Sequence, residues 1–150
     1  VELLSVYPNS VTPNSYSIDF NLGDGSEFTA IQMSIMNDRL DIFEYLLQFP
    51  HSIENLNQCF RFAASRFDRE EFLKVLLKLP QIDVNEHYQN GELNALLAAV
   101  QFNNINVVRI LVSDPRIDVN VKFGQGQTAL EYCIQNKYTE IADLLKNAMT

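Results

Sequence analysis

The stretch that decides the fold is Val75-Leu76-Leu77-Lys78-Leu79-Pro80, followed after one residue by Ile82-Asp83-Val84-Asn85. Its first part is a leucine-rich helix end closed by proline, which lacks an amide hydrogen and cannot continue a helix. Its second part reads as an extended run after which asparagine turns the chain back. Both parts recur. The helix end returns as Tyr45-Leu46-Leu47-Gln48-Phe49-Pro50 and Ile110-Leu111-Val112-Ser113-Asp114-Pro115, and in truncated form as Leu3-Leu4-Ser5-Val6-Tyr7-Pro8. The extended run returns as Ile18-Asp19-Phe20-Asn21 and Ile117-Asp118-Val119-Asn120, with Ile53-Glu54-Asn55 as a degraded copy.

The copies keep a period. Pro50 and Pro80 are 30 residues apart, Pro80 and Pro115 are 35 apart, and Ala95 and Ala129 are 34 apart. Thr29-Ala30-Ile31 and Thr128-Ala129-Leu130 lie 99 residues apart, three periods of 33. Three motifs in one order and one period describe stacked repeats, each too small to bury its apolar face alone. Every repeat reads as two short helices. In the third, Ala95, Leu96, Ala98, Ala99 and Phe102 mark the first helix, and Ile105, Val107, Val108, Ile110 and Leu111 mark the second. These steps of three and four place the apolar side chains on one side of each helix. The alanines of the first helix suit close packing between neighbours, and the larger aliphatics of the second suit a thicker layer. Gly91 and Gly126 supply turns where a positive φ is cheap.

This pattern resembles the ankyrin repeat, whose units open on Gly-x-Thr-Pro-Leu-His and carry Asp-Val-Asn after the second helix. Gly126-Gln127-Thr128-Ala129-Leu130-Glu131 matches the opening, and Asp83 to Asn85 and Asp118 to Asn120 match the second motif, over about residues 17–148. The resemblance implies an all-α solenoid of helix-turn-helix repeats with short β-hairpin-like loops. It also implies one domain over 1–150: a remnant helix at 1–7, a loop at 8–21, and repeats at about 22–55, 56–85, 86–120 and 121–150. Alanine replaces the family's proline at 30, 95 and 129, and Gln32, Leu97 and Glu131 stand where the family has histidine. In the family that histidine and the threonine tie neighbouring repeats by hydrogen bonds, so weaker ties are expected. The second repeat lacks its glycine turn, and Asn57-Gln58-Cys59-Phe60-Arg61 occupies its opening. The apolar opening Val1-Glu2-Leu3-Leu4 predicts a longer parent chain, while Lys146-Asn147-Ala148-Met149-Thr150 suits a C-terminal cap.

The composition narrows function. Apolar residues are 47% of the chain, enough for a core, and no run reaches the roughly 18 to 20 apolar residues that span a bilayer. No secretory signal is visible. A net charge of −8 disfavours a phosphate backbone and an anionic membrane surface. Cys59 and Cys133 lie in helical apolar patterns without a CxxC pair, and His51 and His87 have no partner at helical spacing, so neither a disulfide framework nor a zinc site is expected. These features predict a reducing compartment: the cytosol, or a host cytosol if the source is a pathogen. No GxGxxG, GxxxxGK[ST], HExxH or GxSxG is present, and Gly23-Asp24-Gly25 is only a turn. An enzyme needs converging reactive groups, and none is visible. The expectation is a monomeric, non-enzymatic, cofactor-free module that binds a partner protein. The alternatives are a substrate-recruiting or regulatory segment of a larger enzyme, and a structural spacer.

The ankyrin resemblance implies binding through loop tips and through the exposed, concave face of the first helices. The tips map onto Asp24, Ser26 and Glu27, onto His87, Tyr88, Gln89 and Glu92, and onto Phe123, Gln125 and Gln127. The helical face maps onto Gln32, Met36 and Asn37, then Arg66 and Phe67, then Leu97, Gln101 and Phe102, then Glu131, Gln135 and Asn136. Phe67 and Phe102 occupy equivalent positions 35 residues apart, with Asn37 and Asn136 in the flanking repeats. Two aromatics where the family carries polar residues form either a binding patch or a covered seam, and Arg66 and Tyr88 belong to the residue types that dominate interface hot spots. The selected candidates are therefore Phe67, Phe102, Arg66, Tyr88, Gln101, His87, Met36 and Gln135. Asp68-Arg69-Glu70-Glu71 reads as a solvated helix start.

Overall fold

The computed structural model describes residues 17–19, 27–87 and 93–149. The expected helix at 1–7, most of the loop at 8–21, and Asp24, Ser26, Tyr88, Gln89, Gly91 and Glu92 lie outside them. The chain forms two compact units, Val1–Cys59 and Phe60–Thr150, taken here in turn.

In the first unit, β1 (Ser17–Asp19) pairs antiparallel with β2 (Glu27–Thr29), Ser17 facing Thr29 and Asp19 facing Glu27. Thr29 then starts α1 (Ala30–Met36). Its hydroxyl accepts from the Gln32 amide at 3.4 Å, and the Gln32 side chain accepts from the Thr29 amide at 2.9 Å. This reciprocal capping box satisfies two amides that the helix leaves without partners. Helix α1 packs on α2 (Leu40–Leu46), burying Ile31, Ile35, Phe43 and Leu46. Two side-chain bonds reach α3 (Ile53–Ala64): Thr29 Oγ1 donates to Asn55 Oδ1 at 3.2 Å, and Gln32 Nε2 donates to Gln58 Oε1 at 3.0 Å. The tie expected to weaken with the loss of the family's histidine is thus made by an amide at the same position.

Two readings of the repeat boundaries change. Ile53-Glu54-Asn55 is the first turn of α3 and not an extended copy, and the division drawn at 55/56 falls inside that helix. The Ser52 hydroxyl accepts from the Asn55 amide at 3.1 Å, and Glu54 sits in the first turn, so the segment is capped and charged as a helix start. Without a glycine to turn on, this repeat enters its first helix directly. The Ile-Asp-Val-Asn runs at 82–85 and 117–120 also turn sooner than expected. Asp83 Oδ1 accepts from the Asn85 amide at 3.0 Å, and Asp118 Oδ1 from the Asn120 amide at 2.9 Å, so the aspartates bend the chain themselves.

In the second unit, α4 (Glu70–Leu77), α6 (Ile105–Val112) and α8 (Thr139–Met149) form one layer, α4 against α6 and α6 against α8. Helix α5 (Ala95–Gln101) packs on α6 and on α7 (Ala129–Gln135), which packs on α8. All six residues from Ala95 to Val100 are buried, and the three alanines among them leave room for neighbouring helices to close in. Burial of one Val- or Leu-sized side chain contributes about 1.5–3 kcal/mol, so the packing of α5 on α6 and α7 adds directly to stability here.

Polar ties fix the register between repeats. The Asn85 side chain donates to the Arg116 carbonyl and accepts from the Asp118 amide, both at 2.8 Å. Arg116 donates to the carbonyls of Leu77 at 2.6 Å and Leu79 at 3.3 Å, at the end of α4, and it chelates Asp114. That bond holds the Asp114 carboxyl below the usual range. The buried Arg61 pairs with Glu86. A hairpin-like loop precedes α7: Lys122 bridges Thr128, the Phe123 amide bonds the Gln127 carbonyl at 2.8 Å, and Gly126 takes φ +89°. Among the described residues, no helix is long and apolar enough to cross a membrane.

Candidate functional site

The candidate surface is built at the turns between paired helices. Each turn holds one residue in the left-handed region: Asp38, Asp68, Asn103 and Lys137, with φ between 52° and 62°. Asp and Asn tolerate this region because their short polar side chains bond locally. The residue just before it is the equivalent position of every repeat: Asn37, Phe67, Phe102 and Asn136. Where it is asparagine, the side chain folds back onto its own helix. Asn37 Nδ2 donates to the Met33 carbonyl and Asn136 Nδ2 to the Tyr132 carbonyl, each at 2.9 Å. A phenyl ring has no donor and cannot do this. Phe67 is 57% exposed and Phe102 50% exposed, which sets aside the covered-seam alternative.

The sequence reading places Phe67 and Phe102 on the concave face of the first helices, but α3 ends at Ala64 and α5 at Gln101. Both rings therefore stand on the turns, with Phe102 at the C-cap of α5. The two turns are tied together. Asn104 caps α6, accepting from the Val107 amide at 3.4 Å, and its Nδ2 donates to the Arg66 carbonyl at 3.0 Å. Asn104 is only 3% exposed and Arg66 is exposed, so this bond is partly buried. It anchors the turn carrying Phe67 to the turn carrying Phe102. Arg66 is exposed and lies over the Phe62 ring, 4.6 Å from its centroid, and Gln101 is exposed beside Phe102.

The remaining candidates lie on other segments of the chain. His87 is exposed at the end of a described segment, and Tyr88 lies outside the described residues. Gln135 is exposed on the last turn of α7 and accepts from Gln127 Nε2 at 2.6 Å, which ties it to the hairpin-like loop. Met36 is half-buried at the end of α1, in the first compact unit. Asn104 was not singled out from the sequence, although consecutive asparagines at 103–104 between two helical patterns were its visible signal. An open groove of about 300 Å³, without a signal in the sequence, lies between the turns at Asn103 and Lys137. Tyr138 lines it and belongs to a run of ring contacts, 6.2 Å from Tyr132, which is 4.8 Å from Phe123.

Among the described residues, no three His, Cys, Asp or Glu side chains are grouped to hold a metal. Burial pushes the Cys59 thiol up to about 12 and the Cys133 thiol to about 11, the opposite of an activated nucleophile.

Comparison with known proteins agrees with this architecture. A crystal structure of an ankyrin repeat domain from Acinetobacter baumannii AYE superposes with a TM-score of 0.69 at 22% identity, covering 87% of this chain and 67% of that one, which shows a shared fold. A search of the curated proteins finds no match. The family model of ankyrin repeats, in three copies, matches residues 60–149, more than half of the chain. Ankyrin repeats are generally protein–protein interaction modules. Helix pairs at the family's period, hydrogen-bonded Asp-x-Asn turns between repeats and this family match establish that the chain belongs to the ankyrin repeat family.

Proposed function

We propose that this chain binds a partner protein through the tied turns at 66–67 and 101–104, with Phe67 and Phe102 as anchors and Arg66 and Gln101 beside them. The observation that carries the reading is the contrast at one repeat position. Asparagine caps its helix there in two repeats, while phenylalanine in the other two presents a ring about half open to solvent. Each ring leaves on the order of 100 Å² for a partner to cover, about 2.5 kcal/mol of apolar burial. Aromatic anchors of this kind, with an arginine beside them, dominate binding energy at protein interfaces. The net charge of −8 supports a protein partner over a nucleic acid or an anionic membrane. His87, Tyr88 and Gln135 are outlying candidates for the same interaction. The free thiols of Cys59 and Cys133 suit a reducing compartment such as the cytosol.

The test is affinity capture from a lysate of the source organism, using the wild type and a Phe67→Ala/Phe102→Ala variant, with helicity checked first by circular dichroism. A protein held by the wild type and lost by the folded double variant supports the reading. A protein held equally by both moves the site away from these turns. No capture by either protein counts against an autonomous binding module.

A further inference from the structure

We draw no further inference here: the strongest candidate, the open groove between the turns at Asn103 and Lys137, sets one exposed lysine and the exposed Glu140 among neutral side chains, and nothing in the structure shows what covers it.

Discussion

Replacing Asn104 with alanine tests whether the two phenylalanine turns are held together by the bond described above. The substitution removes two contacts at once. Loss of the α6 cap costs about 0.5–2 kcal/mol, as for other Asn and Ser caps. Loss of the 3.0 Å, partly buried bond to the Arg66 carbonyl costs about 0.5–1.5 kcal/mol. The capping geometry is long at 3.4 Å, so the lower half of its range applies, and the total is about 2 kcal/mol. For a chain of this length that corresponds to roughly 4–8 °C in melting temperature. Asn104→Ser separates the two parts, because a serine hydroxyl caps α6 but cannot reach the carbonyl; it should cost about 1 kcal/mol. Urea unfolding followed by far-UV circular dichroism measures both variants. An alanine variant within about 0.5 kcal/mol of wild type would refute the reasoning, since that is the size of an ordinary surface change.

Other outcomes follow from the same geometry. The Phe67→Ala/Phe102→Ala variant should lose less than about 1 kcal/mol of stability, since both rings are about half exposed; a larger loss in thermal melting would return them to the core. Arg116 depresses the Asp114 pKa, so the pair's stabilisation is present above the unfolded carboxyl value of about 4 and is lost as pH falls through the lower folded value. Between about pH 5 and pH 3, wild type should therefore lose more stability than Arg116→Ala, and equal losses in urea titrations would contradict the assignment. Cys59 and Cys133 should react with a thiol-specific reagent at neutral pH only as fast as the chain opens, so immediate labelling of the native protein would show that one thiol is accessible. Gly126→Ala should cost about 1 kcal/mol because an L-residue at φ +89° is strained, whereas Gly124→Ala, with open space where the new methyl would stand, should be neutral by thermal melting.

Much of the architecture was legible from local chemistry. The helix of Ala95 to Gln101 follows from alanine-rich apolar spacing, and the second helices from Leu-Leu ends before proline, because a 3.6-residue period and a chain-breaking imino acid act within a few residues. Thr29 and Thr128 mark repeat openings in the sequence, and the structure adds that each forms a capping box with Gln32 or Glu131 three residues on. The second repeat was less legible. Its start depends on Ser52 and Glu54 winning against a weak copy of the extended motif, a competition that motif matching does not weigh. Sequence by itself determined the repeat period, the all-helical class and the equivalence of Asn37, Phe67, Phe102 and Asn136, since each rests on spacing along the chain. Tertiary structure alone decided that the two rings stand open on turns and that Asn104 joins those turns. The reason is physical: exposure depends on what other segments pack nearby, and the Arg66 carbonyl that Asn104 meets is 38 residues away in the chain.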